Sequence, residues 1–171
     1  MKASEVLDIL QEHYEKPILP RNTRGRVRPS PWAFLRELRL GTGKVRRDPR
    51  KKQPKSIRQR IDAWAYNTWP SQREAISFEI KVSRSDFLHE LKQPKKREAA
   101  LAVSNRYYFV VVDGVVSDLS EIPEECGYMI TRGNAIAVLK EAPYRPMADL
   151  SMSFISSILR RISRMEREDS K

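Results

Sequence analysis

Apolar and polar residues alternate strictly in one stretch near the middle of the chain. From residue 76 to residue 83 every second position is apolar, and these positions are Ile76, Phe78, Ile80 and Val82. A period of two predicts a β-strand with one buried face, because successive side chains of a strand point to opposite sides. Glu79 and Lys81 therefore share the polar side of this strand, about 7 Å apart along it.

The alternation also predicts a strand before this central one. Within residues 57–66 two sets of positions alternate, which are Ile61, Ala63 and Ala65 against Asp62, Trp64 and Tyr66. The short connection 67–74 allows this strand to pair antiparallel with the central strand. Such pairing would bring Asp62 towards Glu79.

Two further patterns predict strands later in the chain. Residues 107–112 form a continuous apolar run, which is typical of a strand buried on both faces. A strand, a helix and a strand within about 35 residues predict a right-handed parallel crossover. Short strands at 128–131 and 135–139 flank a turn and predict a hairpin.

Helical periodicity predicts an N-terminal helix over residues 4–15 and a C-terminal helix over residues 149–166. Another helix follows the central strand and should kink or end at Pro94. Residues 30–41 begin with serine and proline and end with glycine, which predicts a short helix that carries Glu37.

Together these elements predict an α/β (α+β) fold with a mixed β-sheet flanked by helices. The core order is α-β-β-(β)-α-β, and the bracketed strand would lie within residues 44–56. A C-terminal hairpin and helix follow the core. We expect a single domain over residues 1–171 with its core in residues 30–140.

The charge balance narrows the choice of partner. Lys and Arg number 33 against 22 Asp and Glu, which gives a formal net charge of +11. A polyanion is the expected partner, DNA before a membrane, and the alternative is a merely soluble basic protein. No run approaches the roughly 18 apolar residues of a membrane span. A single cysteine, Cys126, excludes an intrachain disulfide and favours a reducing, cytoplasmic setting.

Positive charge is concentrated in two places where we expect contact with DNA phosphates. The first is the loop 44–60, with Arg46, Arg47, Arg50, Lys51, Lys52, Lys55 and Arg58. The second is the middle of the helical region after the central strand, with Lys92, Lys95 and Lys96. The alternative for such charge runs is a solvated or disordered loop.

Asp62, Glu79 and Lys81 are the candidate chemical residues. A carboxylate and an ammonium group fixed side by side on a strand can hold a divalent cation and polarise a phosphate or a water molecule. The alternative is structural: Glu79 and Lys81 would form a surface ion pair, and Asp62 would pair with Arg60 or Lys81.

At this point the sequence resembles the PD-(D/E)xK nuclease superfamily, which has the restriction-endonuclease-like fold. The segments Arg60-Ile61-Asp62-Ala63-Trp64 and Phe78-Glu79-Ile80-Lys81-Val82-Ser83-Arg84-Ser85-Asp86-Phe87 look like its MmcB-like branch, which is associated with bacterial DNA repair. The segments Arg106-Tyr107-Tyr108-Phe109-Val110 and Ile122-Pro123-Glu124-Glu125-Cys126-Gly127 also look similar. The resemblance covers roughly residues 30–140. Ile61 departs from it, because proline is frequent at that position.

The resemblance implies a site and an activity. Asp62 and Glu79 would be metal carboxylates, and the backbone carbonyl of Ile80 would be a further ligand of Mg²⁺ or Mn²⁺. Lys81 would orient the attacking water and neutralise the scissile phosphate, and Glu37 matches an additional acidic position.

We therefore expect a metal-dependent DNA endonuclease or DNA-repair nuclease that hydrolyses phosphodiester bonds. A homodimer is compatible with this activity, because cutting both strands often requires two sites. The rival hypothesis is a non-catalytic DNA-binding or replication and repair accessory module on the same fold.

Overall fold

The computed structural model describes residues 1–18, 27–40 and 59–170. Its helices are α1 (Ala3–Glu15), α2 (Arg84–Leu91), α3 (Pro94–Leu101) and α4 (Met152–Asp169), with a 3₁₀ turn at Leu119–Glu121. Its strands are β1 (Trp32–Arg39), β2 (Arg60–Asn67), β3 (Glu74–Lys81), β4 (Arg106–Val112), β5 (Gly127–Arg132) and β6 (Ala135–Lys140).

The six strands form one sheet in which each strand lies beside its neighbours in the sequence. The pairs β1–β2, β2–β3 and β5–β6 are antiparallel, whereas β3–β4 and β4–β5 are parallel. This arrangement confirms the predicted mixed sheet flanked by helices, and also the parallel crossover from the central strand to residues 107–112.

Helices cover both faces of the sheet. On one face α1 packs through Val6, Leu10 and Tyr14 against a layer that includes Phe34 and Phe78. The opposite face carries the other helices, and its buried residues are Leu35, Leu38, Ile61, Trp64, Phe87, Ala100, Tyr107, Phe109, Val111 and Phe154 among others. β4 is buried on both faces, as its continuous apolar run predicts.

Residues 32–39 form an edge strand, so the predicted short helix at 30–41 is wrong. Trp32 and Phe34 pack in the layer under α1, whereas Leu35 and Leu38 pack in the opposite layer. Burial on both sides of the sheet outweighs the serine, proline and glycine that resemble helix ends. β1 is also the third antiparallel strand of the core, whereas the sequence pattern predicts that strand in residues 44–56, outside the described residues.

The remaining helices agree with expectation apart from their ends. Pro94 separates α2 from α3, as predicted. The C-terminal helix begins at Met152 rather than 149, because the Ser151 side chain accepts a hydrogen bond from the Phe154 backbone N–H and caps the helix there. Within the described residues, no helix has both the length and the apolar character needed to cross a membrane.

Candidate active site

Five charged side chains meet where the ends of β2 and β3 face the α2–α3 corner. They are Asp62, Glu79, Lys81, Glu90 and Lys96, and we refer to the last four as the charged cluster. The sequence predicts the first three as a site and Lys96 as a contact for DNA phosphates. Nothing in the sequence assigns a role to Glu90.

Asp62 lies where the regular pairing of β2 with β3 ends. The last pair is Ala63 opposite Phe78, one residue short of Asp62. The Asp62 carboxylate instead accepts a hydrogen bond of 2.8 Å from the backbone N–H of Ile80. Because the N–H and C=O of one strand residue face the same neighbour, the Ile80 carbonyl also faces the β2 side.

Glu79 and Lys81 share one side of β3, as the alternation predicts. Lys81 Nζ donates to Glu79 Oε1 at 2.5 Å. The predicted half-buried strand is instead buried on both faces, and the alternative of a surface ion pair does not hold, because Glu79 is 4% exposed. The α2–α3 corner covers this face of the strand, so the pair is enclosed.

Glu90 and Lys96 come from the two helices and complete the charged cluster. Lys96 Nζ donates to Glu79 Oε1 at 2.9 Å and to Glu90 Oε2 at 2.7 Å. Lys81 Nζ lies 3.2 Å from the same Glu90 Oε2. Two ammonium groups are therefore shared between two carboxylates. The second oxygen of Glu90, Oε1, is buried without a hydrogen-bond partner.

Local sequence explains how these helices reach the site. Ser83, two residues after Lys81, caps α2 by accepting a hydrogen bond from the Asp86 backbone N–H. Pro94 then stands at the first turn of α3, where its missing N–H is tolerated. The break between the helices turns the chain back, so that Lys96 faces Glu90. The signal in the sequence was this proline between a glutamate and a lysine, but only the turn of the chain brings them together.

The electrostatics of the charged cluster follow from burial and close contact. Burial and the nearby Asp62 charge raise the pKa of the Glu79 carboxyl to about 7, although Lys81 acts in the opposite direction. Burial also disfavours the charged form of Glu90, but the hydrogen bond from Lys96 and the charge of Lys81 outweigh it, so the pKa of Glu90 is lowered. For Lys81 and Lys96 the carboxylates outweigh burial, and the pKa of each ammonium group is raised. The two lysines therefore stay protonated at neutral pH.

An open cavity of about 660 Å³ leads to Asp62. Its lining is mostly basic and polar: Gln59, Arg60, Asp62, Lys92, Gln93, Pro94, Lys95 and Lys96. The three lysines predicted to contact DNA in this region thus lie beside the candidate site. The predicted phosphate contacts Arg46, Arg47, Arg50, Lys51, Lys52, Lys55 and Arg58 lie outside the described residues.

Glu37 is not part of the charged cluster. Its side chain is 61% exposed and its Oε2 lies 3.1 Å from Arg60 Nη1, which makes a surface ion pair. Glu37 also has a positive φ of 53°, rare for a residue other than glycine. The structure therefore groups Asp62, Glu79 and Lys81 and leaves Glu37 on β1 with a separate partner.

The donors at the site fit a hard divalent cation in chemical type. Two carboxylates, Asp62 and Glu79, and the Ile80 carbonyl supply oxygen atoms, and Mg²⁺ needs only one or two carboxylates because it retains water ligands. Glu90 Oε1 adds a buried oxygen that has no partner. Among the residues that the structure describes, no three His, Cys, Asp or Glu side chains are already grouped to hold a metal. Lys81 and Lys96 would have to move away from Glu79 before a cation could bind.

Comparison with known proteins supports the fold but indicates no activity. The SPO1766 protein of unknown function from Silicibacter pomeroyi has a similar structure, with a TM-score of 0.52 and 19% sequence identity over 82% of this chain and 84% of that chain. No protein-family description matches the chain. No curated protein matches it either. The structural neighbour thus shares the overall fold of this chain, an α+β fold with a mixed sheet flanked by helices.

Proposed function

We propose that this protein is a metal-dependent deoxyribonuclease of the PD-(D/E)xK type, which hydrolyses phosphodiester bonds of DNA. One observation carries the proposal: Asp62, Glu79 and Lys81 converge at the ends of two adjacent strands, with the Ile80 N–H bound to Asp62 at 2.8 Å. These residue types at this place match the chemistry that the sequence resemblance implies. We expect the protein to act on DNA in the cytoplasm, in keeping with its single cysteine.

In this proposal Asp62, Glu79 and the Ile80 carbonyl would hold Mg²⁺ or Mn²⁺. When bound, the cation lowers the pKa of its water and offsets the negative charge that develops on the phosphate. Lys81 supplies a fixed positive charge beside the phosphate and orients the attacking water. The attacking water gives up a proton to solvent as its new P–O bond forms and the bond to the leaving oxygen breaks, and the leaving oxygen takes up a proton.

The remaining members of the charged cluster position the catalytic residues. Glu90 accepts a hydrogen bond from Lys96 and forms an ion pair with Lys81, so it fixes where both ammonium groups lie. Lys92 and Lys95 line the cavity beside Asp62 and would contact phosphates next to the cut bond.

The test is cleavage of labelled single-stranded, duplex and forked DNA in the presence of Mg²⁺, Mn²⁺ or EDTA. Wild-type protein should cut at least one substrate with metal and none with EDTA. Glu79→Gln and Lys81→Ala should each lower the rate by about 100-fold or more, because both act at the reacting phosphate.

Glu74→Gln is the matched control, because Glu74 lies at the other end of the same strand and pairs with Arg106 at 2.6 Å. It should leave the rate within about threefold of wild type, since it does not contact the charged cluster. Metal-dependent cutting that persists in Glu79→Gln would contradict the proposal and indicate a contaminating nuclease.

One observation favours a second candidate, a non-catalytic DNA-binding module. Lys81 and Lys96 already contact Glu79, within 2.9 Å. Their positive charges therefore balance the charge of the carboxylate without a metal. This candidate predicts salt-dependent DNA binding with no cutting under any metal, and binding unchanged in Glu79→Gln.

A further inference from the structure

A small cavity between helix α4 and the edge strand β1 is lined mainly by arginine, and we refer to it as the arginine pocket. Arg39 is the last residue of β1, whereas Arg160, Arg161 and Arg164 come from the middle of α4. At 3.6 residues per turn the three helix positions lie within about 100° of the helix circumference, so they share one side of α4. The other described residues that line the pocket are Glu37, Leu38 and Ser157.

Contacts within the protein hold one of these guanidinium groups in place. Arg161 Nε donates a hydrogen bond of 2.8 Å to the backbone carbonyl of Arg36 on β1, and the Arg161 side chain is 18% exposed. A guanidinium that is fixed through Nε keeps N–H donors on its two Nη atoms. Arg39 and Arg164 are exposed beside it. The pocket therefore combines one anchored guanidinium with others that are open to solvent.

Acidic residues of the described chain offset only part of this positive charge. Glu37 forms its ion pair with Arg60, at 3.1 Å. Glu168 Oε2 lies 3.5 Å from Arg161 Nη1, but this carboxylate is 61% exposed and such pairs are weak. With Arg60 and Glu168 included, five arginines meet two glutamates in this region. The acidic residues that α4 carries after Arg164 are Glu166, Glu168 and Asp169.

The position of Arg39 indicates more than stabilisation of a helix end. Basic residues towards the C-terminal end of a helix interact favourably with its dipole, which accounts for arginine on α4. This effect does not account for Arg39, which a separate element brings to the same cavity. Like charges gathered from two elements repel each other, and a bound anion removes that repulsion.

The size and chemistry of the arginine pocket favour a phosphate group as the anion. Guanidinium groups bind phosphate oxygens through pairs of parallel N–H donors. The cavity has a volume of about 100 Å³. This is the space of about three water molecules, so it suits a single phosphate group rather than a whole nucleotide.

We propose that the arginine pocket binds a backbone phosphate of DNA beside the candidate active site. The inference rests on the proposed function, because it takes DNA as the ligand. The ion pair of Arg60 with Glu37 lies between the two cavities, since Arg60 lines the cavity at Asp62 and Glu37 lines the arginine pocket. The helices that border the two cavities, α3 and α4, cover the same face of the sheet.

The strand register gives the separation of the two sites. Arg39 pairs with Arg60 across β1 and β2, and Arg60 precedes Asp62 by two residues. With strands about 4.8 Å apart and a rise of about 3.3 Å per residue, the backbones of Arg39 and Asp62 lie about 8 Å apart. A DNA strand that occupies the cavity at Asp62 can therefore continue into the arginine pocket.

The first experiment measures binding of a labelled DNA duplex by fluorescence anisotropy in EDTA at several salt concentrations. Arg39→Gln with Arg164→Gln should raise the Kd by about tenfold at low salt. It should also reduce the slope of log affinity against log salt by about 0.9, because one phosphate contact is lost. Arg161 is left unchanged, since it contacts Arg36 within the protein.

Arg28→Gln with Arg73→Gln is the matched control, because it removes the same charge. Both arginines are exposed, and neither lines the cavity at Asp62 or the arginine pocket. This variant should keep the wild-type slope and a Kd within about threefold of wild type. Circular dichroism melts of both double variants should match wild type, since all four side chains are exposed.

The second experiment separates phosphate recognition from general attraction by charge. Arg39→Lys with Arg164→Lys keeps the positive charge but removes two planar guanidinium groups. It should raise the Kd by about threefold or more without reducing the slope. Wild-type affinity in this variant would show attraction by charge alone and would overturn the arginine pocket as a binding site.

Two further results would overturn the proposal. One is a slope that falls equally in the glutamine variant and in the Arg28 and Arg73 control. The other is calorimetric binding of inorganic phosphate that is lost in the glutamine variant while DNA binding is unchanged, which would assign the pocket to a free anion.

These outcomes are distinct from failure of the proposed function, because binding in EDTA requires no cutting. A protein that loses the phosphate contact as expected but cuts no DNA would keep the arginine pocket and refute the nuclease. A nuclease whose salt slope is unchanged in the glutamine variant would refute the pocket alone.

Discussion

Glu79 is a buried carboxylate that shares its surroundings with Glu90 and with two lysine ammonium groups. Enclosed carboxylates destabilise a fold unless positive charge or hydrogen bonds accompany them. Lys96, whose side chain is 32% exposed, supplies contacts to both carboxylates. The role of Lys96 is therefore electrostatic support of the site before any role in DNA binding.

Lys96→Met should lower the free energy of unfolding by about 1–2 kcal/mol at pH 8 and by less at pH 5. Without this ammonium group the pKa values of the Glu79 and Glu90 carboxyls rise in the folded protein. The folded protein then binds more protons than the unfolded chain between the ordinary carboxyl pKa of 4.5 and the raised values. Stability consequently falls as the pH rises through that range. Urea unfolding at both pH values measures the difference.

Lys95→Met is the control for this prediction, because Lys95 is the exposed neighbour on the same helix. It should change stability little at either pH. An equal destabilisation at pH 5 and pH 8 in Lys96→Met would show that Lys96 stabilises the fold by packing rather than by charge.

The sequence predicts the grouping of the candidate site residues better than their surroundings. Alternation along β3 places Glu79 and Lys81 on one side, and the short connection to β2 brings Asp62 near. That Glu79 is buried could not be predicted, because the cover comes from helices that Pro94 bends back over the strand. Glu90 was missed for the same reason, since a glutamate on a short helix has no distinguishing local pattern.

At the scale of elements, β1 is where local signals and tertiary structure disagree. Serine, proline and glycine around residues 30–41 resemble the ends of a helix, but Trp32 and Phe34 pack in one layer of the core and Leu38 packs in the other. The sheet interrupts its regular pairing within this strand: Arg36 and Leu38 have partners on β2, whereas Glu37 between them has a positive φ and no such partner. An irregularity at one residue therefore turns the Glu37 side chain towards Arg60.

Glu37→Gly should leave the unfolding free energy unchanged or raise it by up to about 1 kcal/mol. Glycine adopts a positive φ without steric strain, and the exposed ion pair with Arg60 contributes little. Arg39→Gly on the same strand should instead destabilise by about 0.5–1 kcal/mol, because φ there is not in the left-handed region. Thermal unfolding of both variants makes the comparison. Loss of DNA cleavage in a stable Glu37→Gly protein would restore Glu37 to the candidate site.

The whole molecule carries its charge unevenly on the two sides of the sheet. Helix α1 has four acidic residues, Glu5, Asp8, Glu12 and Glu15, and no lysine or arginine. The opposite side carries α3 and α4, in which seven lysines and arginines outnumber four aspartates and glutamates. The net charge of +11 is thus distributed unevenly over the protein. In the proposed function, DNA is steered to the side that also holds Asp62 and the charged cluster.

Lys92→Gln with Lys95→Gln should weaken DNA binding and flatten its salt dependence. Removing one phosphate-binding lysine should reduce the slope of log affinity against log salt by about 0.9 for duplex DNA. Lys2→Gln with Lys16→Gln removes the same charge at the ends of α1 and should leave the slope unchanged. Fluorescence anisotropy of a labelled duplex between low and moderate salt measures both. Equal slopes in the two double variants would mean that binding responds to net charge alone.

The order of strands in the sheet matches their order in the chain, and this has a consequence for synthesis on the ribosome. No strand has to be inserted between two others, so each one can add to the open edge as it emerges. Every residue of the candidate site lies between residues 62 and 96, on β2, β3 and the two helices that follow. The site can therefore assemble from local contacts while β4 to β6 are still being made.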